Sequence, residues 1–275
     1  MSKRCVVSVA TGRYRVGQTR LKNVLDAAGE TGIYFSSIPS SWPPHDLTPG
    51  LPQVQGGPVD PRRVAPDGRV VAVDPTSVRP YAFKAMALRF AADKGYTSLL
   101  WADACIVPIK PLAPLWERIE RDGAWISNNG FTSYEWCADS AYPELFPDLS
   151  LDDARAAAKE IPHPVATCFG LNLLHATGRF IFDEYVRLAM TTRAFCGPWM
   201  NSNHTDYANQ KVDGIRCAPC GPSDVRGHRH DQVVLGIIAN RAGVELTDGP
   251  NIFAYGKLGD PAGKRTILLA DGNYA

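Results

Sequence analysis

Residues 94–108 read KGYTSLLWADACIVP. Between Gly95 and Asp103, the run Thr97 to Ala102 has the length and apolar character of a buried strand. Asp103 interrupts it, Cys105 follows, and Ile106 and Val107 resume the apolar character until Pro108 stops it. A carboxylate at the end of a buried strand is costly unless it is paired or binds a cation. In open α/β sheets the carboxyl ends of the strands are also where ligands sit. The plainer alternative is an Asp that caps a local turn.

Working outward, Pro80 opens a helix at the position proline prefers, and Phe83, Met86, Ala87, Phe90 and Ala91 give it an apolar stripe down to Gly95. At the start of the chain, Cys5 to Ala10 is a continuous apolar run ended by Thr11–Gly12. Gln18 to Ala28 then places Leu21, Val24, Leu25 and Ala28 on one helical face, and Ile33 to Phe35 reads as a second strand. Strand, turn, helix, strand is a βαβ opening, which favours a parallel sheet covered on both faces.

Downstream, the pattern predicts a helix over 111–121, a strand over 124–127, a turn at Asn128–Gly130 and a helix capped by Ser150. A buried strand follows at Val165 to His175 with Asn172 as its interior polar residue. After it come a long helix from Gly178, a helix from His230 to Ala242, a last strand at Val244 to Leu246 and a loop-like tail from Asp248. Segments 36–78 and 196–227 are rich in Pro and Gly or irregular. Arg69 to Asp74 reads as a strand inside the first. Loops of this length are usually functional.

The 275 residues are 45% hydrophobic and 21% charged, ordinary globular values that suit one large α/β domain, taken as residues 1–275. A net charge of +1 excludes a global pull towards nucleic acid or anionic lipid. The local exception is a basic N-terminal stretch: Lys3, Arg4, Arg13, Arg15, Arg20 and Lys22 precede the first acid, Asp26. No apolar run approaches the ~18 residues of a membrane span, so no membrane partner is expected. Seven cysteines, an odd number without a secretory leader, predict reduced thiols in the cytoplasm.

The chain has no G-x-x-x-x-G-K-[ST] loop, no G-x-G-x-x-G after its first strand and no G-x-S-x-G elbow. This argues against a P-loop NTPase, a standard dinucleotide oxidoreductase and a common serine hydrolase. Cys217 and Cys220, followed by His228 and His230, offer four zinc-binding side chains. The H-x-H spacing is tighter than structural zinc sites use, and a reduced CxxC loop is the competing reading. His228-Arg229-His230-Asp231-Gln232 opens a helix whose N-terminus and basic residues attract anions, with Asp231 able to position a hydroxyl or simply to stabilise the helix. Lys84, near the start of its helix, projects towards the ligand edge and is a candidate phosphate contact; the bland alternative is a solvated lysine.

The order of these pieces, YAFKAMALRFA, SLLWADACI, CFGLNLL and HRHDQVVLGII, resembles a nucleotide-sugar-dependent glycosyltransferase of the GT-A fold over roughly residues 5–246. The resemblance implies an α/β, single GT-A-like (Rossmann-like) domain whose mixed, mainly parallel central sheet is flanked by helices and two long loops. It implies a nucleotide-sugar donor and an acceptor hydroxyl on a soluble glycan, a protein or a modified nucleic acid. It also implies Mn²⁺ or Mg²⁺ at a D-x-D motif. Asp103-Ala104-Cys105 stands in that place with Cys for the second Asp, an unsuitable ligand for a hard cation. By position, Thr11, Gly12, Arg13 and Tyr14 would line the nucleotide, and Lys84, Asp103 and Cys105 would face the donor phosphates. Asp103 and His230 would hold metal, and Asp231 and Asn172 would face the transferred sugar or acceptor. Two other readings compete: a nucleotidyltransferase, for which Thr11-Gly12-Arg13 is a poor phosphate loop, and a non-catalytic sugar- or nucleic-acid-binding module on a degenerate transferase fold.

Overall fold

A computed structural model describes residues 2–37, 53–54, 57–58, 80–197, 201, 220–247, 252–259 and 265–271. The predicted strand at 69–74, Cys217 and most of the two long segments lie outside the described residues. The first strand, β1 (Arg4–Val9), is followed by helix α1 (Arg15–Ala27), which lays Leu21 and Leu25 on the sheet, and by β2 (Gly32–Phe35). A minimal hairpin, β3 (Gln53–Val54) and β4 (Gly57–Pro58), precedes α2 (Ala82–Asp93). Then come β5 (Ser98–Ala102), β6 (Ile106–Pro108), α3 (Ala113–Asp122) and β7 (Ala124–Thr132). The short α4 (Tyr142–Leu145) and α5 (Leu151–Lys159) lead into β8 (Pro162–Asn172) and α6 (Ala176–Thr191). Helix α7 (His230–Arg241) and strands β9 (Phe253–Tyr255) and β10 (Leu268–Ala270) complete the described chain.

The central sheet has the order β2-β1-β5-β8-β7. Strand β1 runs parallel to β2 and β5, whereas β8 is antiparallel to both β5 and β7. Four strands therefore share one direction and β8 opposes them, the mixed, mostly parallel α/β sheet expected. Strand β5 is buried on both faces because its side chains alternate between two cores. Leu99 and Trp101 pack with residues of α2, α6 and α7, and Leu100 and Ala102 with Leu21, Leu25, Leu115, Trp116 and Ile119 of α1 and α3. Burying a Leu, Val or Phe side chain contributes roughly 1.5–3 kcal/mol, so this sandwich is the main source of stability for the sheet edge.

Four expectations change. The 165–175 strand lies at 162–172, and His175 instead caps α6, its Nδ1 accepting the Thr177 N–H. The turn at Asn128–Gly130 is an irregularity inside β7, where the Asn128 and Asn129 side chains accept from Gly130 N and Phe131 N. Val244 to Leu246 forms no strand; only Thr247 makes a parallel bridge, to Ser127. The tail contributes structure instead, because β10 pairs antiparallel with β6 and parallel with β9. Strands of three residues carry too little alternation to be read from sequence, and their partners are distant in the chain.

Candidate active site

Strands β1 and β5 are in register with Val7 opposite Trp101, so the turn after β1 and Asp103 after β5 emerge at the same sheet edge. Asp103 is pinned there by three backbone and side-chain bonds. Its N–H donates to Thr167 O at 2.8 Å, its carbonyl accepts from Ile106 N at 2.9 Å, and its Oδ1 accepts from Trp101 Nε1 at 2.7 Å. The side chain remains about one-third exposed.

Behind Asp103 lies Lys84, 2% exposed. Its Nζ is 3.2 Å from Asp103 Oδ1 and 2.8 Å from Asp231 Oδ2, and it donates to Ala166 O at 2.9 Å. An ammonium has three protons, and three acceptors surround this one. The rings of Tyr81 and Trp101 also face it, at 5.2 and 5.3 Å. Burial alone would push the Lys84 pKa down, but Asp103 and Asp231 outweigh it and raise it, so the amine is charged. The amine expected at a donor phosphate is thus engaged by two carboxylates and a carbonyl.

Asp231 opens α7 and is 4% exposed. Burial raises its pKa to about 6 against the opposing attraction of Lys84, with the nearby Asp103 charge adding to the rise. The site holds two carboxylates and one ammonium: Asp103 facing outward, Asp231 behind it and Lys84 between them.

The two helices that deliver these groups begin alike. Tyr81, before α2, has φ 62, and His230, at the start of α7, has φ 38; among the described residues these are the positive-φ non-glycine positions. Their rings stack at 5.8 Å. Such conformations cost of order 1–3 kcal/mol and persist where surrounding contacts hold them, commonly at functional sites. Neither Tyr81 nor Trp101 was singled out by sequence reasoning; nothing in PYAFK or LLWAD signals a ring folded over a buried ammonium.

Thr11 is buried at the end of β1 and leads into a 3-10 turn at Gly12–Tyr14, where Gly12 takes φ 55 and the Arg13 guanidinium lies 5.4 Å from the Tyr14 ring. Cys105 is half-buried, and its carbonyl accepts from Asp271 N at 3.0 Å. The structure thus brings Thr11, Gly12, Arg13, Tyr14, Lys84, Asp103, Cys105, His230 and Asp231 to one edge of the sheet.

It does not bring Asn172 there. Because β8 is antiparallel, Asn172 pairs with Ser98 at the opposite end of β5, five residues from Asp103 and so about 16 Å away. Its amide donates to Glu120 O and its Oδ1 accepts from Leu174 N, holding the corner between β8 and α6. A strand assumed parallel would have carried it to the ligand edge; the reversed direction carries it away.

The imidazoles near the strand end are already engaged by backbone. His228 accepts from Ala138 N at Nδ1 and faces Ala194 O with Nε2 at 2.9 Å, so both ring nitrogens are taken by backbone. His230 turns Nδ1 to Phe195 O at 3.0 Å. Burial lowers the pKa of both, that of His228 to about 4. Among the described residues no group of three or more His, Cys, Asp or Glu side chains is placed to hold a metal ion. With Asp103 Oδ1 shared between Trp101 and Lys84, and a thiol at Cys105, the described residues do not fit a hard divalent cation. Cys217 lies outside the described residues, whereas Cys220 is buried near the Asn201 side chain, which accepts from its N–H at 3.1 Å.

No protein-family model matches the chain, and no curated protein matches it in sequence. Three solved structures of glycosyltransferases are similar to this chain. One is a glycosyltransferase involved in glycosylation of the major capsid of PBCV-1, at 10% identity and TM-score 0.44, covering 98% of this chain and 93% of its own. Mouse xyloside xylosyltransferase 1 in its apo form matches at 8% identity and TM-score 0.46, covering 99% and 98%. The apo WbbM bifunctional glycosyltransferase matches at 9% identity and TM-score 0.44; this chain spans 46% of it, with 99% of this chain covered. No described helix is long and apolar enough to cross a membrane.

Proposed function

We propose that the protein transfers a sugar from a nucleotide-diphosphate donor to an acceptor hydroxyl. The observation that carries this is the Asp103–Lys84–Asp231 network at the sheet edge shared with the turn after β1. In an α/β sheet this edge is the ligand side, and a charged network buried there is more than packing requires. Thr11 to Tyr14 would bound the nucleotide, as the family resemblance implies. Asp103, the outward carboxylate, would meet the donor. Lys84 is a positioning residue: it touches both acids and fixes their separation.

In the reaction the bond from the acceptor oxygen to the anomeric carbon forms as the bond to the diphosphate oxygen breaks, and the diphosphate leaves with the electron pair. The acceptor proton must go to a base, and Asp231 is the candidate if configuration inverts. If configuration is retained, Asp231 would orient the sugar and the leaving phosphate would take the proton. Burial lifts Asp231 to about 6, and the carboxylate is the active form. Turnover as base is therefore expected to fall about tenfold per pH unit below about 6. A flat kcat profile between pH 5 and 7 would remove Asp231 from proton transfer.

The first test is a thermal-shift screen of nucleoside diphosphates and nucleotide sugars, each with Mn²⁺ and with chelator. A ligand that binds the folded chain raises its melting temperature with dose by mass action. One nucleotide class is expected to do so. Absence of a shift with every nucleotide would sink the donor assignment. A second reading, a non-catalytic sugar- or nucleic-acid-binding module, is favoured by Cys105 at the second D-x-D position; it predicts no shift with any nucleotide and no release of nucleoside diphosphate on addition of acceptors.

A further inference from the structure

The small sheet β6-β10-β9 brings to the ligand edge a side chain that the glycosyl-transfer reading leaves unused. Ile106, Ala270 and Tyr255 stand in one register row across it, and the Ile106 N–H donates to the Asp103 carbonyl at 2.9 Å. Tyr255 is 66% exposed, although Phe253, two residues back on the same strand, is buried. Single exposed apolar side chains are ordinary on a protein surface. Tyr255 differs from these in what holds it.

Its hydroxyl turns back to the adjacent ends of β5 and β8. Burial raises the Tyr255 pKa against a hydrogen bond from the Thr167 side chain, and the nearby Cys168, Cys105 and Asp103 add to the rise. The carbonyl of the same Thr167 accepts the Asp103 N–H at 2.8 Å. One residue of β8 thus anchors both the outward carboxylate and the tyrosine. Phe253 meets the Tyr255 ring at 4.8 Å and 84°, and this is the ring contact it makes among the described residues. A ring tethered at its hydroxyl and supported at one side presents its remaining surface at the site in a fixed orientation.

A pyranose carries a face of C–H groups polarised by the neighbouring oxygens, and the negative face of an aromatic ring attracts them. A tethered tyrosine offers that surface at low conformational-entropy cost. A nucleobase would also stack, but single-stranded nucleic acid needs a basic groove for its phosphates, and the charged side chain acting on Tyr255 is the acid Asp103. The strand order separates the ring from the nucleotide turn. That turn follows β1 and leads into α1, whose Leu21 and Leu25 share a core with Ile106 of β6, and β9 is the strand of the small sheet farthest from β6. Thr167 lies on β8, across β5 from β1. Resting on the glycosyl-transfer reading, the geometry points to Tyr255 as a platform on which a neutral pyranose ring of the acceptor stacks, its hydroxyl presented beside Asp103. The acceptor is then a glycan, not a protein or a nucleic acid.

The test measures binding of the methyl glycosides of D-glucose, D-galactose, D-mannose, D-xylose and N-acetyl-D-glucosamine, and of a short oligothymidylate. Saturation-transfer NMR on the full chain, with and without the nucleotide found in the thermal-shift screen, is the readout. At least one glycoside is expected to bind, and Tyr255→Ala should weaken it about tenfold, whereas Tyr255→Phe and Tyr255→Trp should stay within about threefold of wild type. The nucleotide shift should be unchanged in all three variants. Because the side chain is mostly exposed, Tyr255→Ala should melt close to wild type, so that lost binding is not lost folding. No binding of any glycoside, or equal binding by wild type and Tyr255→Ala, would overturn the proposal. So would loss of the nucleotide shift in Tyr255→Ala with glycoside binding intact, because the ring would then serve the donor base. Tyr255-dependent binding of oligothymidylate without glycoside binding would make the ring a nucleobase platform and overturn the glycan assignment. Tyr255-dependent glycoside binding in a protein that binds no nucleotide would support the platform and overturn the glycosyl-transfer reading alone.

Discussion

Lys84→Met is expected to destabilise the protein by about 3–5 kcal/mol, because it leaves buried carboxylate charge without its partner. An exposed ion pair would be worth at most ~1 kcal/mol, and the difference here is burial: Lys84 and Asp231 side chains are 3% and 5% exposed. In a chain of this length the melting temperature should fall by on the order of 10 °C. The loss is also expected to depend on pH. Burial already raises the Asp231 pKa to about 6 despite the lysine. A carboxyl whose folded pKa is raised binds its proton more tightly when folded, so it costs stability as pH rises from the ordinary carboxylate range to that value, and the cost stays above it. Without Lys84 the pKa rises further and the window extends upward, so the variant should be closer to wild type at pH 5 than at pH 8. Adding Asp231→Asn to Lys84→Met should recover much of the loss by removing the stranded charge. Urea unfolding at the two pH values measures all of this. A Lys84→Met protein within 1 kcal/mol of wild type at pH 8 would show that the network is not the buried charge cluster described here.

Asp103→Asn should have the opposite profile: little change in stability and a fall in turnover of at least ~100-fold, equivalent to about 3 kcal/mol of transition-state stabilisation. The side chain is one-third exposed, and Lys84 keeps Asp231 as its partner in the variant. The amide can still accept from Trp101 but no longer carries the outward negative charge. Removing that charge also removes one of the influences that raise the Asp231 pKa, so any residual activity should keep its acid limb at a lower pH than wild type. Release of nucleoside diphosphate from the donor identified by thermal shift is the assay. Wild-type turnover in Asp103→Asn would mean that the outward carboxylate does not meet the reacting groups.

The β1–turn–α1–β2 opening and the buried run ending at Asp103 were readable because their signals are local: an apolar run of strand length, an amphipathic face and an acid where the run stops. The segment at His228–Gln232 was readable as a helix start for the same reason. Asn172 was misplaced because strand direction leaves no trace in a buried apolar run, and direction decides which end of the strand meets the ligand edge. Strands β9 and β10 were overlooked because each is three residues long and is stabilised by pairing around β6, far away in sequence.

The sequence alone determined the fold class, the covered sheet and the acid at the end of its central strand, since these follow from periodicity and composition within short windows. Only the tertiary structure decided that Lys84 is a buried counter-charge and not a surface cation, that Asp103 and Asp231 share it, and that the imidazoles of His228 and His230 turn to backbone carbonyls. It also decided that Asn172 belongs to a structural corner. The physical reason is common to all four. Burial and charge pairing depend on which distant segments pack together, and a lysine or histidine reads the same in the chain whether its partner is water, a carboxylate or a carbonyl.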